Sequence, residues 1–130
     1  MTARNTIILN LGHPLTDAHL EQVEALLGQR PTVRNLPAHA DRQCPLANTA
    51  RDLLDSLGFS GNEWQTLPLI LNPPGLAPLA LAVIAKLHGR CGYFLPILHM
   101  RPVPDALPPR YEVAEIVNLQ AARERARSYR

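Results

Sequence analysis

Residues 67–87 read LPLILNPPGLAPLALAVIAKL: a short apolar strand, an Asn-Pro-Pro-Gly turn and a long apolar helix. Asn72 is the only polar side chain among the first nineteen of these residues, and it sits where the strand stops and the chain turns. The segment from Leu67 to Ala85 is long enough to span a membrane, but Pro68, Pro73, Pro74, Gly75 and Pro78 crowd its first half. Those residues break a spanning helix and leave backbone groups without partners in lipid, so a core strand and helix of a non-membrane protein is expected.

A related pattern opens the chain. Thr6 to Leu11, TIILNL, is a β-branched apolar run that fits a strand buried on both faces. Gly12, His13, Pro14 and Leu15 follow, and then Thr16, a helix N-cap with Asp17 in the first turn. Leu20, Val23, Leu26 and Leu27 mark one helix face, and Gly28 closes that helix.

Between these two units, Thr32 to Leu36 is a weaker strand between Pro31 and Pro37, and 38–43 is a polar loop holding His39, Asp41 and Arg42. Helical spacing of Leu46, Ala50, Leu53, Leu54 and Leu57 predicts a second helix over 44–58. Ser60 and Glu63 have the form of a capping box before a short turn around Trp64.

Beyond the central unit, the helix from Leu76 to His88 is apolar on nearly every face, with Gly89 and Gly92 to close it. That places it between the sheet and another protein surface, or makes its outer face a dimer contact. Tyr93 to Met100 reads as a fourth strand whose Pro96 suits an edge. Arg101 to Pro109 is short for a crossover helix, so Tyr111 to Asn118 is expected to return antiparallel. A last helix begins near Leu119. The order β-α-β-α-β-α-β-β-α predicts one α/β domain over residues 1–130: three layers, a mostly parallel sheet and an antiparallel edge strand.

Composition narrows the function classes. A chain of 130 residues, 46% hydrophobic and 18% charged, supports a core without disulfides or metal. The net charge of +2 does not point to long nucleic acid. Arg123, Arg125, Arg127 and Arg130 gather beside Glu124 at the end of the chain, either as a phosphate-facing tail or as cations at the negative pole of a helix. Cys44 and Cys91 form no CxxC pair and point to a reducing compartment; no secretion signal pattern opens the chain, and a cytoplasmic location is expected.

The chemistry gathers at the two turns, Asn10-Leu11-Gly12-His13-Pro14 and Asn72-Pro73-Pro74-Gly75-Leu76. In a parallel sheet these strand ends share one edge, where ligands enter at a switch point. Gly12 and Gly75 allow close backbone approach, helix N-termini offer N–H groups to phosphate, and Asn10 and Asn72 can donate to and accept from a base or ribose. Equally, each Asn can satisfy turn backbone, with Gly and Pro setting turn geometry. There is no GxGxxG and no GxxxxGK[ST], and the five histidines form no metal motif, so no cofactor or metal is expected. His13 could hydrogen-bond a ligand or act as a general base. Arg101 could hold a phosphodiester, or pair with Glu112 or Glu115 at the sheet edge.

NxGHPLT near the start, WQTLPLILNPPGLAPLA in the middle and RPVPDALPPRYEVAEIVNLQAAR at the end resemble the fifteenth Csx family of CRISPR-associated accessory proteins, found with type III systems, over nearly the whole chain. The resemblance implies a Rossmann-like domain related to proteins that handle cyclic oligoadenylates. It implies a homodimer or higher homo-oligomer holding cyclic tetra-adenylate between subunits. Sequestration that lowers the free messenger is the expected activity. The alternatives are a metal-independent ring nuclease, for which His13 would be the catalytic residue, and a structural module with no nucleotide ligand.

Overall fold

The computed structural model describes residues 5–39 and 43–130. Five strands form one sheet: β1 (Ile7–Asn10), β2 (Thr32–Asn35), β3 (Leu69–Asn72), β4 (Ile97–Pro102) and β5 (Tyr111–Val117). The helices are α1 (Asp17–Leu27), α2 (Leu46–Asp55), α3 (Gly61–Thr66), α4 (Ala77–Cys91) and α5 (Leu119–Arg127). The sheet order is β2-β1-β3-β4-β5, parallel except for the antiparallel β4–β5 pair. The α/β class, the mostly parallel sheet and the antiparallel return of Tyr111 onward therefore stand as expected from the sequence.

This order reverses direction after β1. The step from β1 to β2 runs one way, and the steps from β2 to β3 and β3 to β4 run the other. Right-handed crossovers then put α1 on one face and α2, α3 and α4 on the opposite one. Strand periodicity sorts the core in the same way. Leu9, Leu69 and Leu71 pack with Ala50, Leu54, Trp64, Leu79, Val83 and Leu87, while Ile8, Ile70 and Leu98 pack with Val23, Leu20 and Leu27 of α1. All four residues of β3 are buried, which explains the apolar run Leu69-Ile70-Leu71 before Asn72.

Local signals set the helix ends. Thr16 accepts from the His19 backbone N–H, and His19 Nδ1 accepts in return from the Thr16 N–H, so a histidine fills the place usually held by Glu in a capping box. Its other ring nitrogen, Nε2, lies 2.9 Å from the Tyr111 carbonyl oxygen. Since Nδ1 is an acceptor, Nε2 carries the hydrogen and donates it, tying α1 to the edge strand. The Val113 N–H donates to Gln22 Oε1 at 2.8 Å beside it, so two α1 side chains cover open backbone groups of β5. The Ser60–Glu63 capping box forms as expected, and Trp64 is buried.

Three expectations shift. Gly89 remains inside α4, and Gly92, left-handed at φ 85°, closes the helix. β4 starts after Pro96 and lies inside the sheet rather than at its edge; the Pro96 carbonyl accepts from the Leu71 N–H, a bond that asks nothing of the missing proline N–H. Only one stripe of α4 is buried (Leu79, Val83, Leu87 and Cys91), because α2 and α3 flank the helix without covering its outer side; Leu81 is 68% exposed. Of the polar loop expected at 38–43, Asp41 and Arg42 lie outside the described residues.

Candidate functional site

The parallel register places Asn10 opposite both Asn35 and Asn72, so three consecutive strands β2, β1 and β3 end in asparagine at one level. By strand parity their side chains share the face covered by α1. Beyond them the sheet order reverses between β1 and β3, the place where open α/β sheets form a crevice.

The three amides form a single hydrogen-bonded row. Asn72 Nδ2 donates to Asn10 Oδ1 at 2.9 Å, and Asn10 Nδ2 donates to Asn35 Oδ1 at 2.9 Å. Asn10 also accepts from the Gly12 backbone N–H at 3.1 Å and donates to the His13 carbonyl at 3.1 Å. An amide offers two donor hydrogens and two acceptor lone pairs, so Asn10 is saturated. It serves the turn and the row at once, and any ligand-facing capacity lies with its neighbours. Asn10 and Asn72 are buried, whereas Asn35, on the outer strand, is exposed.

Gly12 makes this closeness possible. A Cβ on Gly12 would stand 2.9 Å from the Pro73 carbonyl oxygen and 3.0 Å from Asn72 Nδ2. The first turn thus lies directly against the second, and only a residue without a side chain fits there. Gly75 has open space around it and plays no such part.

In front of Asn10 and Asn35 an open groove of about 420 Å³ runs between the two strand ends and the start of α1. Gly12 and Pro14 line one side, Leu15 and Leu20 the α1 side, and Val33, Leu36 and Pro37 the β2 side. No lining residue is charged. The start of α1 is closed by its Thr16 cap, and Asp17 adds a carboxylate to its first turn. The start of α4 differs: Leu76 makes no side-chain cap hydrogen bond, no acidic residue sits in the first turn, and Pro78 follows closely.

The structure brings together Asn10, Gly12, Pro14, Asn72 and Pro73. Pro74 is buried, and Gly75 and Leu76 lie exposed along the α4 entry. The His13 side chain is exposed, while its carbonyl closes the Asn10 turn. Arg101 is apart from the row. Leu71 pairs with Ile97, so Arg101 stands three residues past the level of Asn72, roughly 10 Å along β4. There β4 and β5 run on as a two-stranded ribbon, and Arg101 Nε donates to Glu112 Oε1 at 2.9 Å, the pairing weighed against phosphate contact from the sequence.

Asn35 is the residue that sequence reading passed over. Its signal was a repeated ending, Ile8-Leu9-Asn10, Val33-Arg34-Asn35 and Ile70-Leu71-Asn72, which acquires meaning once parallel pairing puts the three in register. Among the described residues no group of His, Cys, Asp and Glu side chains is arranged to hold a metal ion, and no helix is long and apolar enough to cross a membrane. Comparison with protein-family models, curated proteins and solved structures finds no match.

Proposed function

We propose that this chain is a cytoplasmic Rossmann-like protein of the CARF-like kind that binds cyclic tetra-adenylate at the carboxyl edge of its sheet and lowers the free concentration of this messenger in type III CRISPR signalling. The observation that carries the reading is the amide row Asn35–Asn10–Asn72 at the reversal of strand order, with Gly12 drawing the two turns together. The ligand class comes from the family resemblance, and the sheet order supplies a fold-level analogy.

The uncapped start of α4 offers backbone N–H groups to a phosphate of the ring, and Arg101 can turn from Glu112, since an exposed ion pair holds it by less than about 1 kcal/mol. Leu76 and Leu81, exposed along α4, suit packing against a second copy that shares the symmetric ring. Holding without cleavage is favoured because His13, exposed on the first turn, has no acid or base partner in the described hydrogen bonds, whereas attack by a ribose hydroxyl needs proton transfer at both oxygens.

Calorimetric titration with cyclic tetra-adenylate, followed by separation of the nucleotides, tests the reading. Saturable binding with the ring recovered intact is expected. Absence of binding refutes the reading, and linear di-adenylate accumulating beyond one equivalent replaces holding by cleavage.

A further inference from the structure

The amide row has a direction, and the backbone enforces it. Gly12 N–H can only donate and the His13 carbonyl can only accept, so these two groups leave Asn10 a single orientation, with Oδ1 toward Gly12 and Nδ2 toward His13. Asn10 Oδ1 then requires a donor from β3, which turns Asn72 Nδ2 toward it. Asn10 Nδ2 requires an acceptor from β2, which turns Asn35 Oδ1 toward it. The Asn35 amide therefore cannot rotate by half a turn without setting two NH₂ groups against each other. Its own NH₂ has no partner among the described residues, its Oδ1 keeps one lone pair open, and Asn35 lines the groove.

From this we infer that Asn35 reads an amino-bearing nucleobase, adenine under the reading proposed above, on which this inference rests. The adenine amino group donates to Asn35 Oδ1, and the neighbouring ring nitrogen, N1 or N7, accepts from Asn35 Nδ2. This is the two-bond pairing that asparagine makes with adenine. Leu20 and Val33 give the groove apolar walls, and its uncharged lining beside the capped α1 start suits a base better than a phosphate. Donation along a chain of amides polarises its free NH₂ end, strengthening that donor.

An amide free to rotate would serve hypoxanthine equally well through its O6 and N1–H. The locked amide does not for a base held in the orientation adenine takes, since O6 would then face Asn35 Oδ1, two acceptors with no hydrogen between them. Asn10 is the positioning residue in this arrangement, and Asn35 makes the contact.

The test compares calorimetric affinities for cyclic tetra-adenylate and for cyclic tetra-inosinate, which keeps the same sugar-phosphate ring. The native chain is expected to prefer the adenylate ring by about tenfold or more. Asn35→Asp retains an acceptor for Asn10 Nδ2 but has no NH₂, and its preference is expected to fall to within about twofold or to reverse. Equal binding of both rings by the native chain overturns the inference while leaving the proposed function in place. An undiminished preference in Asn35→Asp, with the variant melting like the parent, overturns it as well. If neither ring binds, the function proposed above fails and the inference with it.

Discussion

Replacing Asn10 by Ala should be among the most damaging single changes at the sheet edge, although the side chain removed is small and polar. Four hydrogen bonds of 2.9–3.1 Å end on it. The His13 carbonyl and the Asn35 amide border solvent and can turn to water. Asn72 Nδ2, on a residue only 6% exposed, cannot do so readily, and the Gly12 N–H, on a half-buried residue, can do so only in part. An orphaned buried donor costs about 1–3 kcal/mol and a lost part-buried hydrogen bond about 0.5–1.5 kcal/mol, so the two together imply a loss of roughly 1.5–4.5 kcal/mol. For a domain of this size that is a fall in Tm of about 5–25 °C. Asn35→Ala should cost only about 0.5–1.5 kcal/mol, because Asn35 is exposed and its loss leaves Asn10 three partners. Asn10→Ala and Asn72→Ala combined should cost less than their sum, since the second change removes the donor that the first orphaned. Urea unfolding of the parent, the three single variants and the double variant, with equal slopes required, measures all of this. A loss under about 0.5 kcal/mol for Asn10→Ala, or a loss for Asn35→Ala matching that for Asn10→Ala, would refute the view that the row is organised from its middle.

Gly12→Ala should destabilise by about 1–3 kcal/mol, because the new Cβ meets the Pro73 carbonyl oxygen at 2.9 Å and one of the two turns must move; Gly75→Ala, which meets nothing, is the control in the same unfolding experiment. Burial raises the Cys91 thiol above its ordinary value of 9.0, outweighing the opposing pull of the Arg90 charge, and burial likewise raises Tyr93, with the Cys91 charge adding to it. Both groups are thus held neutral in the fold. Their contribution is fully present below the ordinary thiol value and is lost as the pH climbs through it and beyond. Stability should therefore decline in alkaline buffer, less so in Cys91→Ala. A maleimide at neutral pH should label exposed Cys44 well before Cys91, as peptide mapping would reveal.

Much of the architecture was legible because it rests on local chemistry. The buried run of β3, the Thr16 and Ser60 caps and the proline-crowded turn after Asn72 each act over a few residues. Boundaries drifted where two local signals competed. Gly89 carries the stop signal but lies two residues before Cys91, whose side chain is buried in the core, so packing carried α4 on to Gly92. Pro96 lies in an apolar run that reads as strand, yet only its carbonyl pairs with β3.

The candidate site divides along the same line. Asn10 and Asn72 stood out in the sequence because each interrupts an apolar run immediately before a turn. Asn35 sits in a short, mostly exposed strand where polar residues are ordinary, so nothing local set it apart. Its role depends on the parallel register of β2 with β1, a contact spanning 25 residues of chain. Likewise, neither turn alone discloses that Asn10 is saturated, that Gly12 touches Pro73 while Gly75 touches nothing, or that Arg101 faces Glu112. Sequence periodicity determined which segments are strands and helices, since those choices depend on side chains a few residues apart. Only the tertiary structure decided which amide ends meet and which hydrogen remains for a ligand, because hydrogen bonds across strands depend on register and on the direction of each donor.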